Sequence, residues 1–283
     1  MPKRAAADEH RVERRLDPPR GVLDLAAARQ HFRLARYLPS VALAPFVEHY
    51  WRVEWALPEG TSYRQETLPH PSVHLVAEPA HCEVVGVPEG RFSRLLEGRG
   101  RAFGVKFRPG GFAPFCGQPV RTFTNRRVDV CALFGDDGRA YGEAVAVEAA
   151  DERAVVLAER FLVACHPEAD REAARAGALV EQIASDPEIA HVDDLAAAAG
   201  ASTRWLQRLF SRYVGVSPKW VILRYRLHEA LERIERGQAV DWALLAADLG
   251  YFDQAHFIKH FKRLIGRTPE AYARSLAFVA KKP

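Results

Sequence analysis

The residues best suited to chemistry gather in two short stretches near the end of the chain. Between Ser202 and Tyr213 stand Arg204, Gln207, Arg208, Ser211 and Arg212, with no acidic residue among them. A guanidinium can donate paired hydrogen bonds to guanine O6 and N7, and a glutamine amide can pair with adenine N6 and N7, so this set could read base edges. Leu206, Leu209, Phe210 and Tyr213 fall at i, i+3, i+4 and i+7, one buried stripe of a helix. Arg204, Arg208 and Ser211 then lie opposite the stripe, with Gln207 and Arg212 at its edges. Arginine is also an ordinary solvent-facing helix residue, so this face alone leaves both readings open. The second stretch repeats the logic. Phe257, His260, Phe261 and Leu264 form the inward stripe, and Ala255, Lys259 and Lys262 face outward, flanked by His256, Ile258 and Arg263. Gln254 sits in the first turn, the part of a recognition helix nearest the bases. Ile258 could pack on a thymine methyl, although a lone exposed Ile needs no explanation.

Other chemistries find little support. His70, His74 and Glu78 are spaced four apart, which on a strand would put them on one face, but Pro71 and Pro79 interrupt the pattern. The four cysteines, Cys82, Cys116, Cys131 and Cys165, form no CxxC and complete no zinc spacing with histidine, so free, mostly buried thiols are expected. Gly98-Arg-Gly100 and Gly104 sit between strand-like segments and read as a hairpin rather than a phosphate loop. There is no nucleophile elbow, P-loop or pair of catalytic carboxylates. His10, His166 and His191 read as surface residues. No catalytic residue, metal site or cofactor is expected, and the chain reads as a non-enzyme.

The elements that must position the two stretches form a repeat. Leu195-Ala-Ala-Ala-Ala-Gly200 matches Leu245-Ala-Ala-Asp-Leu-Gly250. Each is followed by a helix ending in Phe-x-x-x-x-Gly-x-(Ser/Thr)-Pro, at Phe210 to Pro218 and Phe261 to Pro269, and the second copy carries one extra residue before its Phe. A short Ala-rich helix, a Gly turn and an amphipathic helix make a helix-turn-helix unit. Ser202 and Asp253 are the expected N-caps of the second helices. Between the units a helix is expected from Pro218 to Arg236, capped by Ser217, ended by Gly237 and seamed by Trp220, Leu223, Leu227, Leu231 and Ile234. Its length, roughly 28 Å, suits a spacer between groove segments about 34 Å apart.

With 283 residues the chain is long enough for two domains, and its 48% hydrophobic content excludes a mainly disordered protein. No run approaches the ~18 apolar residues of a membrane helix, and residues 1–20 lack a secretory h-region, so a cytoplasmic protein without membrane partners is expected. The net charge of +4 decides nothing by itself. Residues 201–270, however, hold twelve basic residues, Arg224 and Arg226 among them, against seven acidic ones. The whole positive excess sits where phosphate attraction would need it. Residues 1–20 read as a charged arm, 21–165 as a strand-rich domain, 166–172 as a linker and 173–278 as an all-helical domain. Expected strands are Val47–Trp55, Ser72–Ala77, Cys82–Val87 and Ala102–Phe107, and a helix is expected over Glu152–Cys165.

Leu195 to Tyr272 resembles the DNA-binding domain of the AraC/XylS family of bacterial transcription regulators. The resemblance is carried by Ser202-Thr-Arg-Trp-Leu-Gln-Arg-Leu-Phe210, Gly215-Val-Ser-Pro218, Arg226-Leu, Leu249-Gly-Tyr-Phe-Asp-Gln-Ala-His-Phe257 and Gly266-Arg-Thr-Pro-Glu-Ala-Tyr272. It implies base-edge contacts from Arg204, Gln207 and Arg208 in the first unit. In the second it implies them from Gln254, Ala255, His256, Ile258 and Lys259, of which Ala255 cannot hydrogen-bond through its side chain. Backbone contacts are expected from helix N-termini and from Ser202, Ser211, Arg212, Lys262 and Arg263.

Residues 40–140 more loosely resemble the cupin-like β-barrel sensor domains of some family members, through Trp51, Leu68-Pro and Gly104-Val-Lys-Phe-Arg-Pro-Gly-Gly111. A small barrel can enclose one ligand. Candidate pocket residues by type are Trp51, Trp55, Tyr63, His70, His74, Arg108 and Phe112. The expected fold is thus α+β and multidomain, a cupin-like barrel with flanking helices before two helix-turn-helix units joined by a long helix. The expected partners are double-stranded DNA across two consecutive major-groove segments and an unknown small-molecule effector. RNA polymerase joins them if the protein activates, and a homodimer is compatible. Two rival readings stay open, a bifunctional enzyme with a cupin-like catalytic domain and a DNA-targeting tail, and a non-specific nucleoid-binding protein.

Overall fold

The computed structural model describes residues 21–236 and 241–280. The arm over residues 1–20 and the helix-ending Gly237 lie outside the described residues. After a single-turn helix α1 (Leu25–Ala28) come β1 (Phe32–Tyr37), β2 (Val47–Ala56), β3 (Ser62–Thr67), β4 (His74–Glu78), β5 (His81–Val85), β6 (Phe92–Glu97) and β7 (Arg99–Phe107). Then follow α2 (Ala113–Cys116), a 3-10 turn (Val120–Phe123) and β8 (Arg127–Asp129). Six strands form an antiparallel sheet in the order β1-β2-β7-β4-β5-β8, and β3 and β6 pair separately as a ribbon.

Alternation along the strands sorts the side chains onto two faces. Phe103, Val105 and Phe107 of β7 are buried together with Tyr50, Leu75 and Val84 on one face. Helices α3 (Val130–Val147) and α4 (Asp151–Ala164) cover this face, with Tyr141 stacked on Phe161 at 4.5 Å between ring centroids. Arg52 occupies an apolar position of β2, only 1% exposed, because its guanidinium has partners there. It donates to the carbonyls of Glu148 and Ala149 at 2.9 and 3.0 Å and faces Asp151, tying the α3–α4 corner to the sheet. Asp151 also receives the hydroxyl of Tyr37.

The strand-rich front and helical back match the sequence. The four expected strands are present, but β1, β3, β6 and β8 were not expected. Ser62-Tyr-Arg-Gln-Glu-Thr67 shows why, since a ribbon strand with so few apolar residues carries no hydrophobic alternation. The expected hairpin at Gly98 is a correction. Strands flank it, yet β6 belongs to the ribbon and β7 to the sheet, so the chain changes sheets there instead of pairing.

The back consists of α5 (Arg171–Ser185), α6 (Val192–Ala199), α7 (Thr203–Tyr213), α8 (Pro218–Glu235), α9 (Trp242–Asp248), α10 (Gln254–Ile265) and α11 (Pro269–Ala280). Helix α5 begins inside the stretch read as a linker, because Asp170 caps it by accepting from the amides of Glu172 and Ala173. The core is continuous across that stretch. One cluster of buried residues runs from the sheet through α3, α4 and α5 to α6, α7 and the start of α8. A second joins Leu23 and Leu68 to the rest of α8 and to α9, α10 and α11. This explains a further difference. The expected one-sided seam of α8 is replaced by burial on several sides, with Val221, Ile222, Ala230 and His228 buried besides Leu227, Leu231 and Ile234, while Trp220 and Leu223 are half-buried.

Candidate nucleic-acid interface

The two units turn in the same way. At the end of α6 Gly200 adopts φ 58°, and the amide of Ala201 bonds back to the Ala196 carbonyl at 3.0 Å. At the end of α9 Gly250 adopts φ 71°, and the Tyr251 amide bonds to the Ala246 carbonyl at 2.9 Å. A left-handed residue just past a helix favours glycine, since a side chain would be strained there. The Ser202 hydroxyl then accepts from the Trp205 amide at 3.2 Å to start α7, and the Asp253 carboxylate from the His256 amide at 2.7 Å to start α10. Both expected N-caps are in place.

Leu206, Leu209, Phe210 and Tyr213 are buried beneath α7, and Phe257, His260, Phe261 and Leu264 beneath α10. His260 is fixed by a 2.6 Å hydrogen bond with the Tyr251 hydroxyl, and burial lowers its pKa to about 4, so the imidazole is neutral at pH 7. With the apolar stripes inside, Arg204, Gln207, Arg208 and Arg212 are exposed on α7, and Ser211 is half-buried. On α10 Gln254, Ala255, His256, Lys259, Lys262 and Arg263 are exposed, with Ile258 half-buried. Arg204, Arg208, Lys259, Lys262 and Arg263 form no ion pair among the described residues. These cations are therefore available to an outside anion.

Two of the twelve basic residues between 201 and 270 are instead buried. Arg224 is 1% and Arg226 3% exposed. Arg226 donates to the carbonyls of Asp186 and Ile189 at 2.7 and 3.1 Å and pairs with Glu229, joining α8 to the turn before α6. Arg224 donates to the Glu89 carbonyl at 2.6 Å and lies over the Trp220 ring, where burial lowers its pKa to about 9. Arg233 is also committed, to Glu229 and Asp248. Counting charge along the sequence missed these internal roles. The one available signal was that positions 224 and 226 stand next to apolar positions of α8.

The seven pocket candidates do not form one constellation. Trp51, Trp55 and His74 share the sheet face turned away from α3 and α4. Trp51 lies across Gly104, whose added Cβ would be 2.2 Å from the ring, and donates to His74 Nδ1 at 3.2 Å. Burial, followed by the charge of Lys106, lowers the His74 pKa to about 3. Trp55 donates to the Glu97 carbonyl at 3.0 Å, with Arg94 over its ring. Tyr63 stacks on His31. His70 stacks on His228 of α8 with centroids 4.2 Å apart. Arg108 bonds the Ala44 carbonyl and faces Glu181. Phe112 is buried, with its ring against those of Phe107 and Phe123. Glu78 is engaged by Arg94, so His70, His74 and Glu78 have three different sets of partners. Among the described residues no group of three or more His, Cys, Asp or Glu could hold a metal ion. No helix among them is long and apolar enough to cross a membrane.

Comparison with known proteins agrees with this geometry. Residues 195–275 match a family model described as a helix-turn-helix domain, and residues 35–129 match a domain family of unknown function, DUF6597. An uncharacterized HTH-type transcriptional regulator of Escherichia coli K12, YidL, is 40% identical over 85 residues, covering 30% of this chain and 28% of that protein. A second uncharacterized HTH-type transcriptional regulator, from Haemophilus influenzae, is 31% identical over 87 residues, covering 31% and 29%. The chain thus spans under a third of the length of these relatives. The crystal structure of ToxT from Vibrio cholerae O395 aligns over 87% of this chain and 98% of its own at 11% identity, with a TM-score of 0.37. The twin units with matching caps and turns, the motifs repeated in both, and the helix-turn-helix match identify residues 195–275 as a double helix-turn-helix domain of the AraC type.

Proposed function

We propose that the protein is a sequence-specific regulator of transcription, in which α7 and α10 enter two consecutive major-groove segments of one duplex. The carrying observation is the pair of equivalent helices, each buried on its apolar stripe and each presenting cations without an internal partner. Arg204, Gln207 and Arg208 read base edges in the first segment, and Gln254, Ala255, His256, Ile258 and Lys259 face those of the second. Ser202, Ser211, Arg212, Lys262 and Arg263 hold the backbone and set the register.

The strand-rich domain, read as a cupin-like sensor, controls this binding in response to a small effector. Support comes from where it grips the units. The Thr124 hydroxyl donates to the Gly215 carbonyl at 2.6 Å just after α7, and Arg91 donates to the Ile265 carbonyl at 3.0 Å at the end of α10. Gly215 and Gly266 are equivalent positions of the repeat, so the domain holds both units by the same turn and leaves both reading faces open. An effector that prefers one arrangement of the domains would shift the population competent for DNA. An activator of this design would also meet RNA polymerase, and a dimer would double the number of segments read.

Selection of bound sites from a random duplex library with the full chain tests the reading. Enrichment of one site over random DNA by about 10³ or more in affinity supports it. Equal binding to all sequences would instead favour a non-specific nucleoid protein.

A further inference from the structure

The two reading helices differ in chemistry at equivalent positions. Ser202 and Asp253 are both N-caps, and Phe210 and Phe261 are both buried, so α7 and α10 align without a gap. Arg204 then corresponds to Ala255, Gln207 to Ile258 and Arg208 to Lys259. Two of the three polar readers of the first unit are replaced by apolar side chains in the second.

The residue that lengthens the second turn extends this apolar set. Ala201 and Tyr251 make the same backbone bond to the helix before the turn, so they are equivalent. One unit passes directly from there to its cap, Ser202. The other inserts Phe252 before Asp253. An apolar residue just before an N-cap ordinarily folds back onto the fifth residue beyond itself, here Phe257, and staples the helix start. Phe252 does not. It is 91% exposed, the only aromatic residue among the described large hydrophobics that is so exposed, while the ring on Phe257 is that of Tyr251, with centroids 5.2 Å apart. The staple is already supplied, and Phe252 stands outside it, beside the exposed first turn that carries Gln254 and Ala255.

Resting on the reading of α10 as a groove-entering helix, we infer that the second unit recognises its DNA segment chiefly through thymine C5-methyl groups, with Phe252 making the largest contact and Ala255 and Ile258 continuing it. Among the base-edge groups of the major groove the thymine methyl is the apolar one, and Ala and Phe are side chains that pack on it. The operator would then be asymmetric, with guanine and adenine read in the first segment and thymines in the second.

The test uses the full chain and the duplex enriched by selection, with each thymine of the second segment replaced in turn by deoxyuridine, which lacks only the methyl. Fluorescence anisotropy of the wild type should show a several-fold loss of affinity at one or more of these positions. Phe252→Ala should bind the thymine duplex several-fold more weakly and lose the discrimination at one of them, and Phe252→Leu should keep part of it. The side chain touches little of the protein, so circular dichroism and Tm should not change. Equal wild-type affinity for thymine and deoxyuridine duplexes, or unaltered discrimination in Phe252→Ala, overturns the inference while leaving site-specific binding intact. If the wild type prefers no sequence at all, the reading of the units as sequence-specific falls as well.

Discussion

Arg208 and Lys262 separate two kinds of contact that the same charge can make. Both are exposed and without an ion pair among the described residues, yet one is centred on the reading face of α7 and the other lies in the last turn of α10. Arg208→Ala should cost about 1–3 kcal/mol on the selected site and relax preference at one base pair, measured by titrating point-substituted duplexes. Lys262→Ala should weaken binding to all sequences alike and lower the slope of log K against log salt by about one. The buried arginines behave differently. Arg226→Ala would leave the carbonyls of Asp186 and Ile189 without a buried partner. A loss of about 1–3 kcal/mol for each group left unsatisfied is expected in urea unfolding. An unchanged midpoint would mean that solvent reaches these carbonyls.

At the scale of elements, the helix starts are set by single side chains. Ser202→Ala and Asp253→Ala should each remove about 0.5–2 kcal/mol of stability, read as a fall in Tm, because each leaves an N-terminal amide without its acceptor. Both caps were legible in the sequence, as were the buried stripes of α7 and α10, since a cap residue and a 3.6-residue period are local patterns. What was not legible is non-local. Arg226 looks like surface charge until the turn before α6 is brought against it. The ribbon escaped for a related reason, because β3 carries no hydrophobic alternation of its own and is defined by its pairing with β6. The candidate site was readable as a list of exposed side chains, but which cations remain unpaired follows only from the packing.

The whole molecule joins a strand-rich domain to both helix-turn-helix units through an interface that contains His228, stacked against His70 and facing the charges of Arg224 and Lys106. Burial, then His70, Arg224 and Lys106, hold its pKa well below the usual imidazole value. Above pH 6.5 the ring is neutral in folded and unfolded chains alike. Below it the unfolded chain takes up a proton that the folded one refuses, so stability falls as the pH drops from about 6.5, by at most about 1.4 kcal/mol per pH unit for each such histidine. Urea unfolding of wild type and His228→Gln between pH 7 and 5 checks this, with a shallower fall expected for the variant. The central claim concerns how the two units meet DNA. Hydroxyl-radical footprinting of the full chain on its selected site tests it most directly. Two protected patches on one face of the duplex, centred about one helical turn apart, are the predicted result, and a single patch or uniform protection along the duplex would contradict it.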